Sequence, residues 1–242
     1  MNISTQLRDR RGFFVLFVSY TNMQTTSVRV WDLPTRLFHW ILAACVIGSV
    51  VSAKLGGLAM VWHFRLGYAV LALLIFRLCW GLVGGHWSRF MSFLYSPAQA
   101  IRHFRGQEDH STGHSPLGAL SVFGLLAVLI LQVASGLVSD DEIASSGPLT
   151  RFVSGEWVSR ATWYHADLGQ YLIYGLVGLH VLAILIYVLR GKTLVRPMIT
   201  GDKQLPASTR SSRDTALTRI VALILISIGG AIAWWVSSLG SI

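Results

Sequence analysis

The sequence has few charged residues and almost no cysteine. Asp, Glu, Lys and Arg together make up 13% of the 242 residues, whereas soluble domains usually carry about 25%. The two cysteines, Cys45 and Cys79, both lie inside apolar stretches, where a thiol behaves as a small hydrophobic group. These shortages exclude an ordinary soluble domain and a disulfide-stabilised one.

The sequence is instead rich in long apolar runs. Hydrophobic residues make up 53% of the chain, and a helix needs about 20 apolar residues to cross a bilayer. Five stretches predict an all-α protein in the lipid bilayer, with five transmembrane helices and no separate soluble domain. They are residues 37–53, 61–83, 117–138, 164–189 and 217–239.

The distribution of positive charge predicts the orientation. The net charge is +9, but the basic residues are concentrated in alternate connections, so nucleic acid is not an expected partner. Sixteen of the 20 Lys and Arg residues belong to one side, and only Lys54, Arg65, Arg151 and Arg160 belong to the other. Because positive residues stay in the cytoplasm, we expect the N-terminus inside and the C-terminus outside.

The outer connection between the third and fourth helices is acidic, with Asp140, Asp141, Glu142 and Glu156. One interpretation is a solvated loop after a helix end. The other is a docking surface for a basic or haem-bearing partner, since opposite charge steers association.

Four histidines near the helix ends form two pairs at matched depth. In the predicted topology His39 and His180 lie toward the cytoplasm, and His63 and His165 lie toward the outside; we call these the inner pair and the outer pair. His165 and His180 are fifteen residues apart, which on an α-helix separates them by ~22 Å and keeps them within ~60° of one face. Histidine inside a membrane is costly and usually functional.

Each pair is suited to hold one haem iron between two imidazoles, a coordination typical of electron transfer. A single histidine could instead be a polar residue without a cofactor, and a shared metal ion would need ligands that converge on one point. No C-x-x-C-H motif occurs, so the haems are expected to be b-type and noncovalent.

Glycine follows each outer histidine by four residues, in H-F-R-L-G (Gly67) and H-A-D-L-G (Gly169). Positions i and i+4 share a helix face, so glycine there would leave room for a porphyrin ring. Close helix packing is the alternative role for each glycine. Two further candidates are Gly48 and Gly175.

Arginines near the histidines are candidates to bind the haem propionates. Arg36 precedes His39 at the inner surface, Arg65 follows His63 at the outer surface, and Arg77 lies deeper in the second helix. Snorkelling toward lipid headgroups is the competing role.

The other four histidines belong to the inner connection between the second and third helices, where a short surface helix is expected over residues 97–104. Most of them are expected to be solvated, and His114 is kept as a reserve ligand or proton-transfer residue. The four are His86, His103, His110 and His114.

The N-terminal extension, residues 1–28, is harder to interpret. Its apolar run, residues 12–20, is too short to span a membrane. Residues 1–22 are either a mis-assigned start, with Met23 as the true one, or a segment that lies on the inner leaflet.

Three runs resemble the bacterial cytochrome b561 and Ni-hydrogenase b-type cytochrome family: VWDLPTRLFHW (30–40), HFRLGYAVLALLIFRLCWGLVG (63–84) and YHADLGQYLIYGLVGLH (164–180). The resemblance covers residues 28–200. It implies an all-α four-helix transmembrane haem-binding bundle over residues 29–200, with a linker and a fifth transmembrane helix over residues 201–242. In the family such a bundle binds two b haems in the bacterial inner membrane, which implies His39, His63, His165 and His180 as axial ligands. It also implies electron transfer between the quinone pool and a partner at the periplasmic face.

The expected function is therefore that of an electron-transfer subunit, with lipid, quinone and a periplasmic c-type cytochrome or hydrogenase-like subunit as partners. One alternative is a standalone superoxide:quinone oxidoreductase. Another is a haem-free membrane anchor or transporter component, although mid-membrane polar residues are sparse, with Gln132 and Ser135 as the main cases.

Overall fold

A computed structural model describes residues 25–105, 112–143 and 145–240. Its α-helices are α1 Leu33–Leu55, α2 Met60–Val83, α3 Pro97–Phe104, α4 Pro116–Gly136, α5 Gly155–Trp163, α6 Gln170–Leu189, α7 Val195–Thr200 and α8 Ala216–Ser238. Two strands, β1 Thr25–Arg29 and β2 Asp202–Pro206, complete the fold. The predictions for residues 1–22, for His110 and for the side chain of His103 concern parts of the chain outside the described ones.

Five helical segments of this structure are long and apolar enough to cross a membrane, as the sequence predicts. They are α1, α2 with the short turn before it, α4, the continuous segment Gly155–Leu189, and α8. The short helix expected at residues 97–104 is α3. The protein is a multi-pass helical membrane protein.

Local sequence signals set where the membrane helices begin and end. Asp32 caps α1 by accepting a hydrogen bond from the backbone N–H of Thr35, and Ser115 caps α4 through Gly118 in the same way. These caps satisfy amide groups that have no partner in the first turn of a helix. Gly56 ends α1 with a φ of +63°, a conformation that glycine adopts without strain.

The helices pack around α2, which contacts α1 on one side, α8 on another and α4 on a third. The helix α6 packs along α4. The helix α8 belongs to the same packed body, because Gly229 lies so close to α2 that an added Cβ would be 2.7 Å from the Ala72 carbonyl oxygen. The apolar core is made of Phe38, Cys45, Val70, Leu73, Leu74, Phe76, Trp80, Leu126, Leu129, Ile173 and Ala222.

The fourth membrane segment differs from the uninterrupted α-helix that the sequence predicts at 164–189. It begins earlier, with α5 at Gly155, and contains a π turn at Tyr164–Gly169 before α6. A π turn inserts one extra residue into a helical turn and occurs most often at functional sites. His165 lies in this turn.

The two strands were not expected. Strand β1 pairs antiparallel with β2, in a register that joins Thr25 to Pro206 and Arg29 to Asp202. The ladder therefore joins the extension predicted up to residue 28 to the linker predicted after residue 200, and the division of the chain into these parts stays a prediction. The pairing depends on residues far apart in sequence, which local patterns do not reveal.

Asp32 fixes the start of α1 against the end of α2. Its side chain is fully buried and accepts hydrogen bonds from Thr35 N, Trp80 Nε1, Gly85 N and Ser88 Oγ. A buried carboxylate is stable only when its oxygens are satisfied. Four donors meet that requirement and hold the first two membrane helices in register.

Candidate haem-binding site

The structure brings the outer pair together. The ring centres of His63 and His165 are 5.9 Å apart and their planes are nearly perpendicular, at 83°. His63 Nδ1 donates to the backbone oxygen of Ser49 at 2.9 Å, and His165 Nδ1 donates to that of Gln132 at 2.9 Å. Because a carbonyl oxygen only accepts, each Nδ1 carries the hydrogen and each Nε2 keeps a lone pair that is available to bind a metal ion.

Two residues of α4 shape the position of His165. An added Cβ at Gly136 would lie 2.6 Å from Cε1 of the His165 ring, so only glycine admits the ring there. The Gln132 side-chain amide donates to the His165 backbone oxygen at 2.9 Å, which satisfies a carbonyl next to the π turn. Sequence analysis identified Gln132 only as an unusual polar residue in the membrane, and it missed Gly136.

The structure also brings the inner pair together, but its histidines have fewer and longer hydrogen bonds than those of the outer pair. The ring centres of His39 and His180 are 6.5 Å apart, with an angle of 50° between the planes. His180 Nδ1 lies 3.3 Å from the hydroxyl of Ser121 on α4. His39 Nδ1 is buried and has no hydrogen-bond partner among the described residues.

Both separations fit a metal ion between the two rings. A histidine nitrogen lies about 2.0–2.1 Å from a bound metal ion and about 1.1 Å from its own ring centre, so two rings on opposite sides of one ion have centres about 6.2 Å apart. The observed 5.9 Å and 6.5 Å lie on either side of this value. No cluster of three or more metal-binding side chains occurs in the described residues, which agrees with two separate two-ligand sites.

An apolar cavity of about 390 Å³ adjoins the outer pair. Its wall includes His63, His165 and Gly67, with apolar side chains such as Val70 and Leu129. A flat apolar ring held at its centre by two histidines fits such a cavity, because the apolar wall excludes water from the metal. The residues present therefore fit a haem.

The glycines do not share one role. Gly67 lines the cavity, and neither Gly67 nor Gly175 on α6 has an atom within 4 Å of an added Cβ. An added Cβ at Gly169 would lie 2.0 Å from Gln132 Oε1, and one at Gly48 would lie 2.7 Å from Leu66 of α2. Gly48 and Gly169 thus lie against neighbouring helices in this structure, and the expectation that Gly169 makes room for a porphyrin stays a prediction.

The three arginines lie in different surroundings. Arg36 donates to the backbone oxygen of Ile199 at the end of α7. Arg65 is exposed, with its guanidinium over the Trp62 ring, and is not part of the cavity wall. Arg77 is only 3% exposed and lies over the Phe90 ring at 4.5 Å. Arg77 is the only one of these guanidinium groups that is buried next to the bundle core.

His114 is an exception to the expectation that the inner-loop histidines are solvated. Its ring lies between Trp31 and Phe93, with centres 4.6 Å and 4.3 Å away. Burial, with smaller contributions from Arg77 and His180, lowers the pKa of His114 to about 3, so it is neutral near pH 7. His86 packs edge-on against Trp87 at 4.7 Å.

Comparison with known proteins agrees with this geometry. Residues 30–201 match the family model of prokaryotic cytochrome b561, which covers more than half of the chain. No solved structure matches the chain at a significant level.

Two similar curated proteins are named as probable Ni/Fe-hydrogenase B-type cytochrome subunits. The one from Azotobacter vinelandii is 23% identical, over 73% of this chain and 88% of the relative. The one from Bradyrhizobium diazoefficiens is 24% identical, over 74% of this chain and 86% of the relative. With two histidine pairs spaced for iron and a family model that spans the bundle, the chain belongs to the prokaryotic cytochrome b561 family and is a b-type, haem-binding cytochrome of bacterial membrane electron transfer.

Proposed function

We propose that this protein binds two b haems and carries electrons across the membrane, between the quinone pool and a redox partner at the periplasmic face. The proposal rests on two histidine pairs whose ring centres are far enough apart to hold an iron between them, 6.5 Å in the inner pair and 5.9 Å in the outer pair. His165 and His180 join the two sites through one membrane segment. The sites are therefore at different depths in the bilayer.

The residues of the chain hold and orient the two haems, which supply one-electron redox chemistry when bound. In the outer pair the Nδ1 hydrogen bonds fix the plane of each imidazole and make Nε2 a better donor. Two histidines at each site would leave a bound iron without a free position for oxygen, so the sites suit electron transfer better than oxygen chemistry. Apolar side chains around the outer pair keep water away.

The positive residues support the proposed orientation, in which the N-terminus is cytoplasmic and the C-terminus periplasmic. The inner pair then lies nearer the cytoplasm and the outer pair nearer the periplasm. The cavity beside the outer pair extends to Asp140 and Asp141 of the acidic loop. A partner bound at that loop would be close to the outer haem.

The acidic loop has a structural role in addition to its charge. Asp140 Oδ1 accepts a hydrogen bond from Glu142 N, and Asp141 Oδ1 accepts from Ile143 N and Ser145 N. Glu156 pairs with Arg160 one helical turn later. Because the names of the relatives refer to a hydrogenase, a hydrogenase-like subunit or a c-type cytochrome is the proposed partner at this face.

The purified protein tests the proposal directly. We expect a reduced-minus-oxidised spectrum of b-type haem, a ratio of two haems per chain, and full reduction of both haems by a soluble quinol. A ratio of one haem per chain would contradict the two-site proposal. A spectrum without b haem would contradict the haem assignment itself. Reduction by superoxide without any partner subunit would favour a standalone oxidoreductase.

A further inference from the structure

Arg77 is a buried cation with one nitrogen that has no hydrogen-bond acceptor among the described residues. Only 3% of the residue is exposed, and its NH1 nitrogen has no hydrogen-bond partner among the described residues. Its guanidinium lies over the face of Phe90 at 4.5 Å. A guanidinium carries five N–H donors, and leaving them unpaired in an apolar core is expensive.

The nearest compensating charge does not supply the missing acceptor. Asp32 attracts Arg77 electrostatically, but its two carboxylate oxygens are occupied by Thr35, Trp80, Gly85 and Ser88. Among the described residues, NH1 of Arg77 therefore has a counter-charge at a distance and no hydrogen-bond acceptor. The chemistry that completes such a site is a carboxylate, which accepts two parallel hydrogen bonds from one guanidinium.

His114 provides a second unpartnered group in the same cluster. Its Nδ1 is buried with no partner among the described residues. Its ring contacts Phe93 at 4.3 Å, and Phe93 contacts Phe90 at 6.0 Å. Arg77, Phe90, Phe93 and His114 thus form one continuous group of side chains, which we call the Arg77 cluster.

The Arg77 cluster lies next to the inner pair. Phe76, which precedes Arg77, contacts Phe38 at 6.1 Å, and Phe38 precedes His39. On the other side of the bundle, His114 lies close enough to both Arg77 and His180 to interact electrostatically with them, and Ser121 contacts His180. The Arg77 cluster therefore lies near the inner pair.

We propose that Arg77, assisted by Nδ1 of His114, binds a propionate of the inner haem. This inference rests on the proposed function, because it requires a haem between His39 and His180. A propionate carries the carboxylate that the Arg77 cluster lacks, and it is attached to the edge of the ring that those histidines hold. Arg65, the basic residue beside His63, is exposed over Trp62, so the outer haem has no equivalent buried cation there.

A reduction potential tests the proposal, since a nearby cation favours the reduced, more negative haem. The measurement uses a His63→Ala background, in which only the inner haem remains. There, Arg77→Gln is expected to lower the equilibrium constant for reduction at least tenfold, which is about 59 mV for one electron. Arg77→Lys keeps the charge and is expected to shift the constant by less than Arg77→Gln does. The control Arg219→Gln removes an exposed inner-side charge paired with Asp214 and is expected to cause no comparable shift.

The infrared spectrum of this single-haem protein, with ¹³C in the propionate carboxyl groups, provides a test that does not require an Arg77 variant to fold. An arginine partner keeps a carboxylate ionised, so we expect at least one of the two propionates to keep its labelled carboxylate band down to about pH 5. Protonation of both propionates near neutral pH would overturn the proposal.

The outcomes separate this inference from the proposed function. If the inner haem is present and its potential is unchanged in Arg77→Gln, the Arg77 assignment is wrong while the two-haem proposal stands. If the effect of Arg77→Gln appears only when a soluble quinone is added, Arg77 binds the quinone headgroup and the propionate assignment is also wrong. If the His63→Ala protein holds no haem at all, the two-site proposal itself fails.

Discussion

The two histidine pairs achieve similar ring separations with different support. In the outer pair both Nδ1 atoms donate to backbone oxygens, of Ser49 and Gln132. In the inner pair His180 contacts a serine hydroxyl and His39 has no partner among the described residues. Backbone atoms are fixed by the helices, whereas a hydroxyl rotates. The comparison indicates that the outer site is shaped before haem binds and that the inner site depends more on the haem itself.

The largest expected effect comes from removing one ligand of each pair. His63→Ala and His180→Ala should each lower the haem content from two per chain to one, because a single imidazole is left to hold the iron. Haem quantification and spectra check this, with His86→Ala as a control that should keep both haems. Loss of both haems in His180→Ala, but not in His63→Ala, would mean that the outer site forms only after the inner one, against the comparison drawn above.

A backbone position should affect the outer site almost as strongly. Gly136→Ala places a Cβ 2.6 Å from the His165 ring, and contacts under 3 Å force the ring to move. We expect loss of most of the outer haem and retention of the inner one. Gly230→Ala on α8 is the matched control, since no atom lies within 4 Å of its added Cβ, and it should retain two haems. If Gly136→Ala keeps the outer haem, the His165 ring can move without loss of haem binding, and the prediction is wrong.

Two serines allow a direct comparison of the support for the pairs. Ser121 is the hydroxyl partner of His180, while Ser135 lies 3.5 Å from a His165 nitrogen that already donates to Gln132 O. Loss of a group that orients a metal ligand typically costs 10–100-fold in affinity. We therefore expect Ser121→Ala to weaken inner haem binding about tenfold and Ser135→Ala to have little effect on the outer haem. Equal effects, measured by haem titration, would contradict the difference between the sites.

The smallest expected effect concerns the ion pairs at the inner end of the bundle. Arg29 bonds Asp202 at 2.6 Å and Asp214 at 2.7 Å, and Arg219 bonds Asp214 at 3.0 Å. Burial alone would raise the pKa of Asp214, but Arg219 and Arg29 outweigh it and hold the pKa below its usual value. The charged Asp214 therefore stabilises the folded protein at pH values above its pKa in the unfolded chain. This stabilisation is lost as the pH falls through the lower pKa that Asp214 has in the folded protein.

Asp214→Asn should accordingly reduce stability by about 1 kcal/mol near neutral pH, the upper end for such partly exposed pairs. The difference in unfolding midpoint between the natural protein and the variant should shrink as the pH falls below about 4. Thermal unfolding followed by tryptophan fluorescence measures the loss of stability near neutral pH and its dependence on pH. A difference that does not depend on pH would mean that the carboxylate charge is not the source of the stability.

The sequence predicts the parts of the fold that depend on composition and local spacing. The five membrane spans follow from apolar length, and the two histidine pairs follow from the depth of each residue within its span. The structure places His63 next to His165 and His39 next to His180. Their role as iron ligands stays a prediction.

What the sequence does not predict depends on contacts between distant segments. Gly136 looks like any small residue of a membrane helix until His165 is placed against it. Gly169 matches a repeated motif, yet the packing of α4 turns it toward Gln132. His114 lies in a polar loop, but Trp31 and Phe93 from other segments bury it.

The ladder between β1 and β2 constrains the path of the chain through the bilayer. Its strands precede α1 and follow α7, and they can hydrogen-bond only if both are on the same side of the membrane. The chain must therefore make an even number of crossings between Arg29 and Asp202, and α8 then takes the C-terminus to the opposite side. During synthesis β1 emerges before any membrane helix. Its partner β2 becomes available only after four membrane helices have been synthesised and inserted. Closure of the ladder is thus a late step, available only to a chain whose first four helices are threaded correctly.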